Sequence, residues 1–266
     1  LLGYGTKAGL FPLHNWLPDA HSEAPAPASA MLSGALLNCA LVALWRITSV
    51  AFAAGLSSLV HHTLVPMAVI TVFAAGLMLV RQHDLKRMWA YSSVEHTGLL
   101  ALAIGIGSTP VFILHAVNHS LVKVALFLIA GNILHLFGTK SLSKLSGLLR
   151  IAPLWAILLA AGSFAIAGSP PFGTFLSEWL LLRDMFAGRH FVAGGMVIAG
   201  LTITFIAISY YMGRVLFGVS PNNDLKYQKS WSFVPAVLLF AALLTGLALV
   251  PGIMAWLTGL AGRSVL

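Results

Sequence analysis

Long apolar runs alternate with short polar stretches along the whole chain. The runs lie at about residues 1–13, 26–53, 64–80, 88–107, 111–137, 153–182, 191–217 and 233–260. A hydrocarbon core about 30 Å thick needs roughly 20 apolar residues of α-helix, so every run except the short first one can cross a bilayer. The pattern therefore predicts an all-α membrane protein with about eight transmembrane segments.

Two of the apolar runs are interrupted by residues that do not suit a regular helix. The run at 153–182 contains Gly-Ser-Pro-Pro-Phe-Gly from Gly168 to Gly173. Two prolines remove backbone donors, which leaves carbonyl groups free at membrane depth. In the first run, three glycines and Pro12 flank Lys7. We expect broken helices at both places, and broken helices often line transport sites.

Composition agrees with a membrane protein and excludes a soluble domain. Hydrophobic residues make up 59% of the 266 residues and charged residues only 8%, against about 25% charged residues in soluble proteins. The formal net charge of +8 does not indicate a nucleic-acid partner, because the basic residues fall mostly in short loops.

Cys39 is the single cysteine, so an intrachain disulfide is impossible. Phosphate-binding loops, Cys-x-x-Cys pairs and nucleophile elbows are missing from the sequence, which predicts no cofactor.

The distribution of Lys and Arg predicts the orientation. On the side reached after the first segment lie nine basic residues, namely Arg81, Lys86, Arg87, Lys140, Lys144, Arg150, Arg214, Lys226 and Lys229. The other side has four, namely Arg46, Arg183, Arg189 and Arg263. Cytoplasmic loops carry the excess of basic residues, so the side with nine is predicted to be cytoplasmic. Lys7 and Lys123 remain inside apolar runs.

One polar stripe lies in the middle of the run at 111–137. His115, His119 and Lys123 are spaced i, i+4 and i+8, so they share one face of a helix. Charged groups at membrane depth are costly and usually line a water-filled path or a proton relay. Because burial disfavours the charged form of lysine, a buried lysine can take up and release a proton. We therefore interpret Lys123 as a proton carrier and the histidines as its relay.

Two other interpretations of the histidines remain open. Histidines at i and i+4 can bind zinc, but a cation follows at i+8 and neither a His-Glu-x-x-His motif nor a cysteine partner is present, so we predict no metal. The histidines could also only hydrogen-bond neighbouring helices. Asn118, on an adjacent face, could orient water or bridge helices.

Further polar residues interrupt the apolar runs. Glu95 and His96 suggest a branch of the relay near the cytoplasmic end of their run, where water can reach them. Glu178 follows the interruption at Gly168–Gly173 within two turns. The remaining candidates are predicted in loops or at a helix end, with solvated or interfacial roles, and these are His14, Asp19, His21, Glu23, His61, His62 and His135.

Several motifs together resemble a known family. They are the run from Lys7 to His21, Ala24-Pro-Ala-Pro-Ala-Ser-Ala, Asp84-Leu-Lys-Arg-Met-Trp-Ala-Tyr-Ser-Ser, the stripe from His115 to Lys123, and Ala167-Gly-Ser-Pro-Pro-Phe-Gly. In this order, they resemble the antiporter-like subunits of respiratory complex I, Mrp-type cation/proton antiporters and membrane-bound hydrogenases. Ser-Ser-Val-Glu-His-Thr-Gly and Phe-Leu-Ser-Glu-Trp look most like the hydrogenase-4 component F branch of formate-hydrogenlyase-type complexes.

The resemblance implies a fold and an organisation. It implies an inverted-repeat antiporter-like fold in which residues 1–266 form one membrane domain carrying family helices 7–14. Residues 1–60 would end the first repeat, 61–220 form the second repeat, and 221–266 form a terminal helix. The chain starts without Met, so we expect it to begin partway through a longer protein. A family glutamate on the fifth helix would precede this sequence.

The resemblance also implies a function and its residues. Lys7, Lys123 and Glu178 take the positions of a proton path, in which the helix with the histidines is broken and His115 and His119 bridge. Ser33 stands where many complex I relatives carry histidine, so water would have to link Lys7 to Lys123. The implied protein is a proton-translocating, non-catalytic membrane subunit of a hydrogenase- or complex I-like oxidoreductase. A sodium/proton antiporter subunit and a non-pumping membrane anchor are the alternatives.

Partners and location follow from the same resemblance. We expect other membrane subunits of such a complex, lipid, and protons or sodium ions as partners, and no nucleic acid. A multi-pass position in the cytoplasmic membrane of a bacterium or archaeon is implied.

Overall fold

The computed structural model describes residues 2–219 and 234–247, and these residues form helices and no β-strand. The helices, numbered in chain order, are α1 Leu2–Ala8, α2 Trp16–Glu23, α3 Ala26–Met31, a π-helical segment Leu32–Leu36, α4 Leu37–Ala53, α5 Ser57–Leu79, α6 Leu85–Gly105, α7 Thr109–Phe137, α8 Leu148–Ile151, α9 Pro153–Ile166, α10 Gly173–Ala187, α11 Phe191–Phe217 and α12 Val234–Leu247. The predicted all-α membrane fold is confirmed.

Four helical stretches in the described residues are long and apolar enough to cross a membrane by themselves. They are Ala26–Ala53, which runs through α3, the π-helical segment and α4, and then α5, α7 and α11. The predicted terminal helix at 221–266 is described as α12 over Val234–Leu247. Residues 220–233 and 248–266, with Lys226, Lys229 and Arg263, lie outside the described residues. The repeat boundaries near residues 60 and 220 stay predictions.

Two predicted loops are in fact helical. The stretch from His14 to Glu23 contains α2, and Pro18 fits there because a proline in the first turn of a helix loses no intrahelical hydrogen bond. His61 and His62 lie in the second turn of α5 rather than in a loop. Their polarity lowers the local hydropathy, which is why the sequence pattern predicts an apolar run that begins only at residue 64. Polar residues in the first two turns at a membrane surface do not end a helix.

The predicted helix break is present between α9 and α10. α9 ends at Ile166, and α10 begins at Gly173. In a continuous helix the carbonyls of Ile166 and Ala167 would accept hydrogen bonds from the N–H groups of residues 170 and 171, but both of these are prolines. Gly168 has a φ of +66° just after the end of α9, a conformation that suits glycine. The helix must therefore end here.

The break that the family resemblance implied in the histidine-bearing helix is not found. α7 is a continuous α-helix of 29 residues that carries His115, His119 and Lys123. Its single proline, Pro110, lies in the first turn, where it does not interrupt the hydrogen-bond ladder. His115, His119 and Lys123 therefore lie on one uninterrupted helix.

Charged residues of α2, the start of α6 and the loop after α7 pair with one another at one end of the bundle. The Lys140 ammonium lies 2.7 Å from Glu23 Oε1 and 3.2 Å from Asp84 Oδ2, and Arg87 lies 3.1 Å from Asp19. The hydrogen bond from Lys140 lowers the pKa of Glu23 below its ordinary value. The predicted orientation placed Arg87, Lys140 and the loop after the first segment on one side. Their contacts agree with that orientation.

α6 lies at the centre of the bundle, close against α5. A Cβ atom added to Gly98 would lie 3.0 Å from the Ala68 carbonyl oxygen and 2.8 Å from Val72 Cγ2. Small residues let membrane helices approach this closely. This packing fixes the position of α6, which carries Glu95 and His96.

Replacing Gly98 by alanine is expected to destabilise the fold by about 1–3 kcal/mol, because α5 and α6 would have to separate. The matched control is Gly195→Ala in α11, where an added Cβ meets nothing within 4 Å. Thermal unfolding in detergent, followed by size-exclusion chromatography, compares the two variants. Equal melting temperatures would contradict the tight α5–α6 contact.

Candidate functional site

A row of buried titratable side chains runs through the middle of the bundle. It contains six of the seven predicted site residues, namely Glu95, His96, His115, His119, Lys123 and Glu178. They come from α6, α7 and α10. The least buried of them, Glu178, is 7% exposed. The described structure therefore holds a set of six buried proton-binding groups in the apolar interior.

Lys7 is the predicted site residue that the structure does not bring into this row. It lies in α1 and is exposed, whereas the other six are buried. Its role stays a prediction.

A direct hydrogen bond joins two histidines of the row. His96 Nδ1 and His115 Nε2 are 2.9 Å apart, and the rings stack with centroids 5.0 Å apart at an angle of 17°. The other nitrogen of each ring also has a partner. His115 Nδ1 lies 2.7 Å from Ser177 Oγ, and His96 Nε2 lies 2.9 Å from the Ile166 carbonyl oxygen. The two imidazoles thus form one chain from α10 to the end of α9.

The position of His96 corrects the expectation that water reaches it from the cytoplasmic end. α6 begins at Leu85, so His96 lies near its middle and is fully buried. The His96 ring also lies 5.3 Å from the His119 ring. The branch predicted for Glu95 and His96 is therefore part of the main row, because α6 packs against α7.

The helix break positions His96. Because residue 170 is a proline, the Ile166 carbonyl has no helical donor and is open to the imidazole N–H. The preceding carbonyl, Ala165, accepts instead from the Thr174 hydroxyl and the Gly168 N–H. The sequence predicted free carbonyls at this depth, and the structure pairs one of them with a histidine of α6.

Lys123 is fully buried near the middle of α7, and its ammonium donates to the Trp89 carbonyl at 2.8 Å. That carbonyl also accepts from Ser93 Oγ at 3.0 Å, and Ser93 Oγ lies 2.9 Å from Ser33 Oγ. Ser33 belongs to the π-helical segment. Two serine hydroxyls therefore lead to the hydrogen-bond acceptor of Lys123, whereas the water link expected between Lys7 and Lys123 stays a prediction.

Electrostatic contacts connect the remaining members of the row. Lys123 is close enough to interact with Glu95 and His119, and Glu95 interacts with Glu178. Thr204 of α11 lies beside Glu95. Charge on any one group therefore affects its neighbours, since the effective dielectric constant inside a protein is low.

Several polar atoms of the row have no hydrogen-bond partner within the described residues. They are both ring nitrogens of His119, both carboxylate oxygens of Glu95 and Oε1 of Glu178. Leaving a buried polar group unpaired costs about 1–3 kcal/mol. These atoms are therefore the places where protons or ordered water would be bound.

Three members of the row could also hold a metal ion. Ligand atoms of His96, His115 and Glu178 all lie within 4.8 Å of one another, and two imidazoles with a carboxylate suit zinc. The facing nitrogens of the histidines are hydrogen-bonded at 2.9 Å, and tetrahedral zinc would require them about 3.3 Å apart. A metal would thus replace the hydrogen bond that the histidines share.

Glu178 lies at the end of the row beside the helix break. A Cβ atom on Gly168 would overlap its carboxylate, which explains the glycine at this position together with the positive φ. A cavity of about 260 Å³, lined by Gly168, Glu178, Trp179 and Leu201 among others, opens between α10 and α11. Glu178 therefore lines a cavity at the side of the bundle.

Asn118 bridges helices, one of the two roles considered for it. Its side-chain nitrogen donates to the Leu114 carbonyl at 2.9 Å, and its oxygen accepts from the Thr245 hydroxyl of α12. His135 lies in the last turn of α7, as predicted.

Sequence reasoning missed the Ser177 hydroxyl and the Ile166 and Trp89 carbonyls, which bond directly to the row, and the Ser93 hydroxyl, which bonds to the Trp89 carbonyl. Both serines stand inside motifs quoted above, one residue or two before a glutamate. Serine is common on membrane helices, so only that neighbourhood could have singled them out.

A helical membrane bundle with a broken helix and a buried row of Lys, His and Glu defines an antiporter-like membrane subunit. The chain belongs to the family described as NADH:quinone oxidoreductase/Mrp antiporter, TM, whose model matches residues 1–207. The resemblance drawn from the motifs is confirmed. The expected position in the cytoplasmic membrane of a bacterium or archaeon agrees with this membership.

Individual relatives include both hydrogenase and antiporter subunits. The chain is 40% identical over 262 residues to the Hydrogenase-4 component F homolog of Methylacidiphilum infernorum (isolate V4), covering 96% of this chain and 54% of that protein. It is 32% identical over 280 residues to Na(+)/H(+) antiporter subunit A1 of Staphylococcus epidermidis, covering 95% of this chain and 34% of that protein.

A solved structure has the same fold. A chain of the membrane-bound sulfane sulfur reductase, an archaeal respiratory membrane complex, superposes with a TM-score of 0.88 at 26% identity, covering 99% of this chain and 54% of that chain. The chain thus spans about half the length, or less, of the relatives it matches.

Proposed function

We propose that this chain forms part of a proton-translocating membrane subunit of a hydrogenase- or complex I-like energy-converting complex. The observation that carries the proposal is the buried row from Lys123 through His119, His96 and His115 to Glu178. Hydrogen bonds that only hold helices together do not require a row of titratable groups, because isolated polar contacts bridge membrane helices equally well.

Each member of the row would have a defined task. A neutral Lys123 can accept a proton beside the Ser33–Ser93 hydroxyls, and the unpartnered nitrogens of His119 can receive it. The His96–His115 pair would then exchange protons with Glu178, which lines the cavity between α10 and α11. Unpaired buried polar atoms favour ordered water between these groups.

Charge would couple the steps. Two unit charges about 4 Å apart interact by about 4 kcal/mol at an effective dielectric constant of 20. Because Glu95 interacts with both Lys123 and Glu178, a proton arriving at one group would bias the others. Such coupling can drive protons along the row when partner subunits change the charge at one end.

The partners of the subunit would be other membrane subunits of the complex. Relatives named as hydrogenase-4 component F and as a sodium/proton antiporter subunit suggest two settings. The higher identity to the former favours a hydrogenase-type complex. Proton translocation independent of sodium would support a hydrogenase-type complex, whereas sodium-dependent exchange would support the antiporter alternative.

His119→Ala in the full-length subunit, within its complex, tests the proposal. The expected result is a loss of proton translocation of at least about tenfold, since positioned proton-transfer groups contribute about 10²–10⁴-fold. The measurement is the pH change in everted vesicles, with and without sodium. His135→Ala, on the same helix but exposed, serves as the control.

A non-pumping anchor is the remaining alternative. Neutralising Lys123, His119 and Glu178 together should abolish translocation while the complex still assembles. Unchanged translocation in this triple variant would reject the proposed function and favour the anchor.

A further inference from the structure

We propose that Ser177 is a proton-transferring residue, which gives the His96–His115 chain a direction and lets the chain hold one extra proton. The inference rests on the proposed function, since it concerns how the same row moves protons. It follows from four contacts, which join His96 to Ile166, His96 to His115, His115 to Ser177, and Ser177 to Thr174.

The Ile166 carbonyl determines the tautomer of His96. A carbonyl oxygen can only accept, so the hydrogen bond of 2.9 Å requires a proton on His96 Nε2. In a neutral imidazole the other nitrogen, Nδ1, is then without a proton. Pro170 makes this possible because it leaves the carbonyl without a helical donor.

The neutral chain then points in a single direction. His96 Nδ1 must accept, so His115 carries its proton on Nε2 and donates it across the 2.9 Å contact. His115 Nδ1 is consequently an acceptor, and among the described residues only the Ser177 hydroxyl, 2.7 Å away, can donate to it. All three hydrogen bonds run from Ser177 towards Ile166.

The same contacts accommodate one added proton. Ser177 passes its hydroxyl proton to His115 Nδ1, His115 passes its Nε2 proton to His96 Nδ1, and the serine oxygen takes up the incoming proton. His96 then carries protons on both nitrogens and donates to Ile166 and His115. The new serine hydroxyl turns to the Thr174 carbonyl, 2.8 Å away. One proton enters, and every donor still has an acceptor.

Unloading is the reverse of these transfers. His96 returns the Nδ1 proton to His115, His115 returns one to Ser177, and the serine releases a proton on the side of its neighbour Glu178. The proton released is the one that faced the Thr174 carbonyl, and the serine is left with the O–H that donates to His115 Nδ1. Alanine at position 177 removes both the donor and the acceptor that His115 Nδ1 needs.

The test uses Ser177→Ala and Ser177→Thr in the full-length subunit within its complex. Ser163→Ala is the matched control, because Ser163 is also buried and, within the described residues, its hydroxyl bonds only to a carbonyl of its own helix. We expect proton translocation to fall at least about tenfold in Ser177→Ala, to recover in Ser177→Thr, and to be unchanged in Ser163→Ala.

A second readout separates this inference from the proposed function. Solid-state ¹⁵N NMR of histidine-labelled protein should show neutral His96 and His115 protonated at Nε2, with the His115 signals shifted in Ser177→Ala and restored in Ser177→Thr. A proton on Nδ1 of neutral His96, or full translocation in Ser177→Ala, would overturn the inference. Correct tautomers in a wild-type complex that moves no protons would instead reject the proposed function alone.

Discussion

Replacing Lys123 by alanine is expected to abolish proton translocation while the subunit remains assembled in its complex. Lys123 is fully buried, and within the described residues it is the only lysine in the row. Its removal takes away the proton carrier between the Ser33–Ser93 hydroxyls and His119. A loss of about 100-fold or more is expected, since a positioned proton-transfer group contributes about 10²–10⁴-fold.

The variant Lys123→Arg separates the loss of proton transfer from the loss of positive charge. Arginine keeps the positive charge but does not release its proton in proteins, so we expect it to be inactive as well. Lys144→Ala is the control, because Lys144 is exposed in the loop after α7. Vesicle acidification measures translocation, and native gels measure assembly. Normal acidification by Lys123→Ala would remove lysine from the proton path.

Replacing His96 by phenylalanine is expected to cause the second largest loss, at least about tenfold. His96 contacts His115, His119 and the Ile166 carbonyl, so it joins the Lys123 side of the row to the Glu178 side. Phenylalanine fills a similar volume but cannot bind a proton. The interruption should therefore affect translocation more than stability.

The control for His96→Phe is His61→Phe. His61 lies near the start of α5 and stacks on His190, with ring centroids 5.8 Å apart. We expect this variant to translocate protons at the rate of the unmodified protein. Equal rates for both variants would show that protons bypass His96, for example by a direct route from His119 to Glu178.

Much of the fold could be predicted because membrane helices leave a simple signal. A lipid-facing helix must satisfy its backbone internally and cover itself with apolar side chains, so each apolar run became a helix. The break at 167–172 was predictable for a local reason, since Pro170 and Pro171 have no N–H groups. α2 and the first turns of α5 were not, because polar residues at a membrane surface are compatible with loop and helix alike.

The candidate site was predictable only in part. The spacing of His115, His119 and Lys123 placed them on one face of α7, and the cost of a buried charge marked them as functional. Nothing in the spacing could show that Ser177 of α10 donates to His115, or that His96 reaches the Ile166 carbonyl. Those contacts join residues 62 and 70 positions apart.

The sequence by itself determined that the chain is helical and membrane-embedded, where one helix breaks, and which buried groups can carry a proton. Those properties depend on hydropathy, proline chemistry and helical periodicity, which act over one or two turns. Only the tertiary structure decided that Glu95 and His96 join the stripe of α7 and that Lys7 stays outside it. The physical reason is that hydrogen bonds reach about 3 Å, so the order of the groups depends on how α6, α7 and α10 pack.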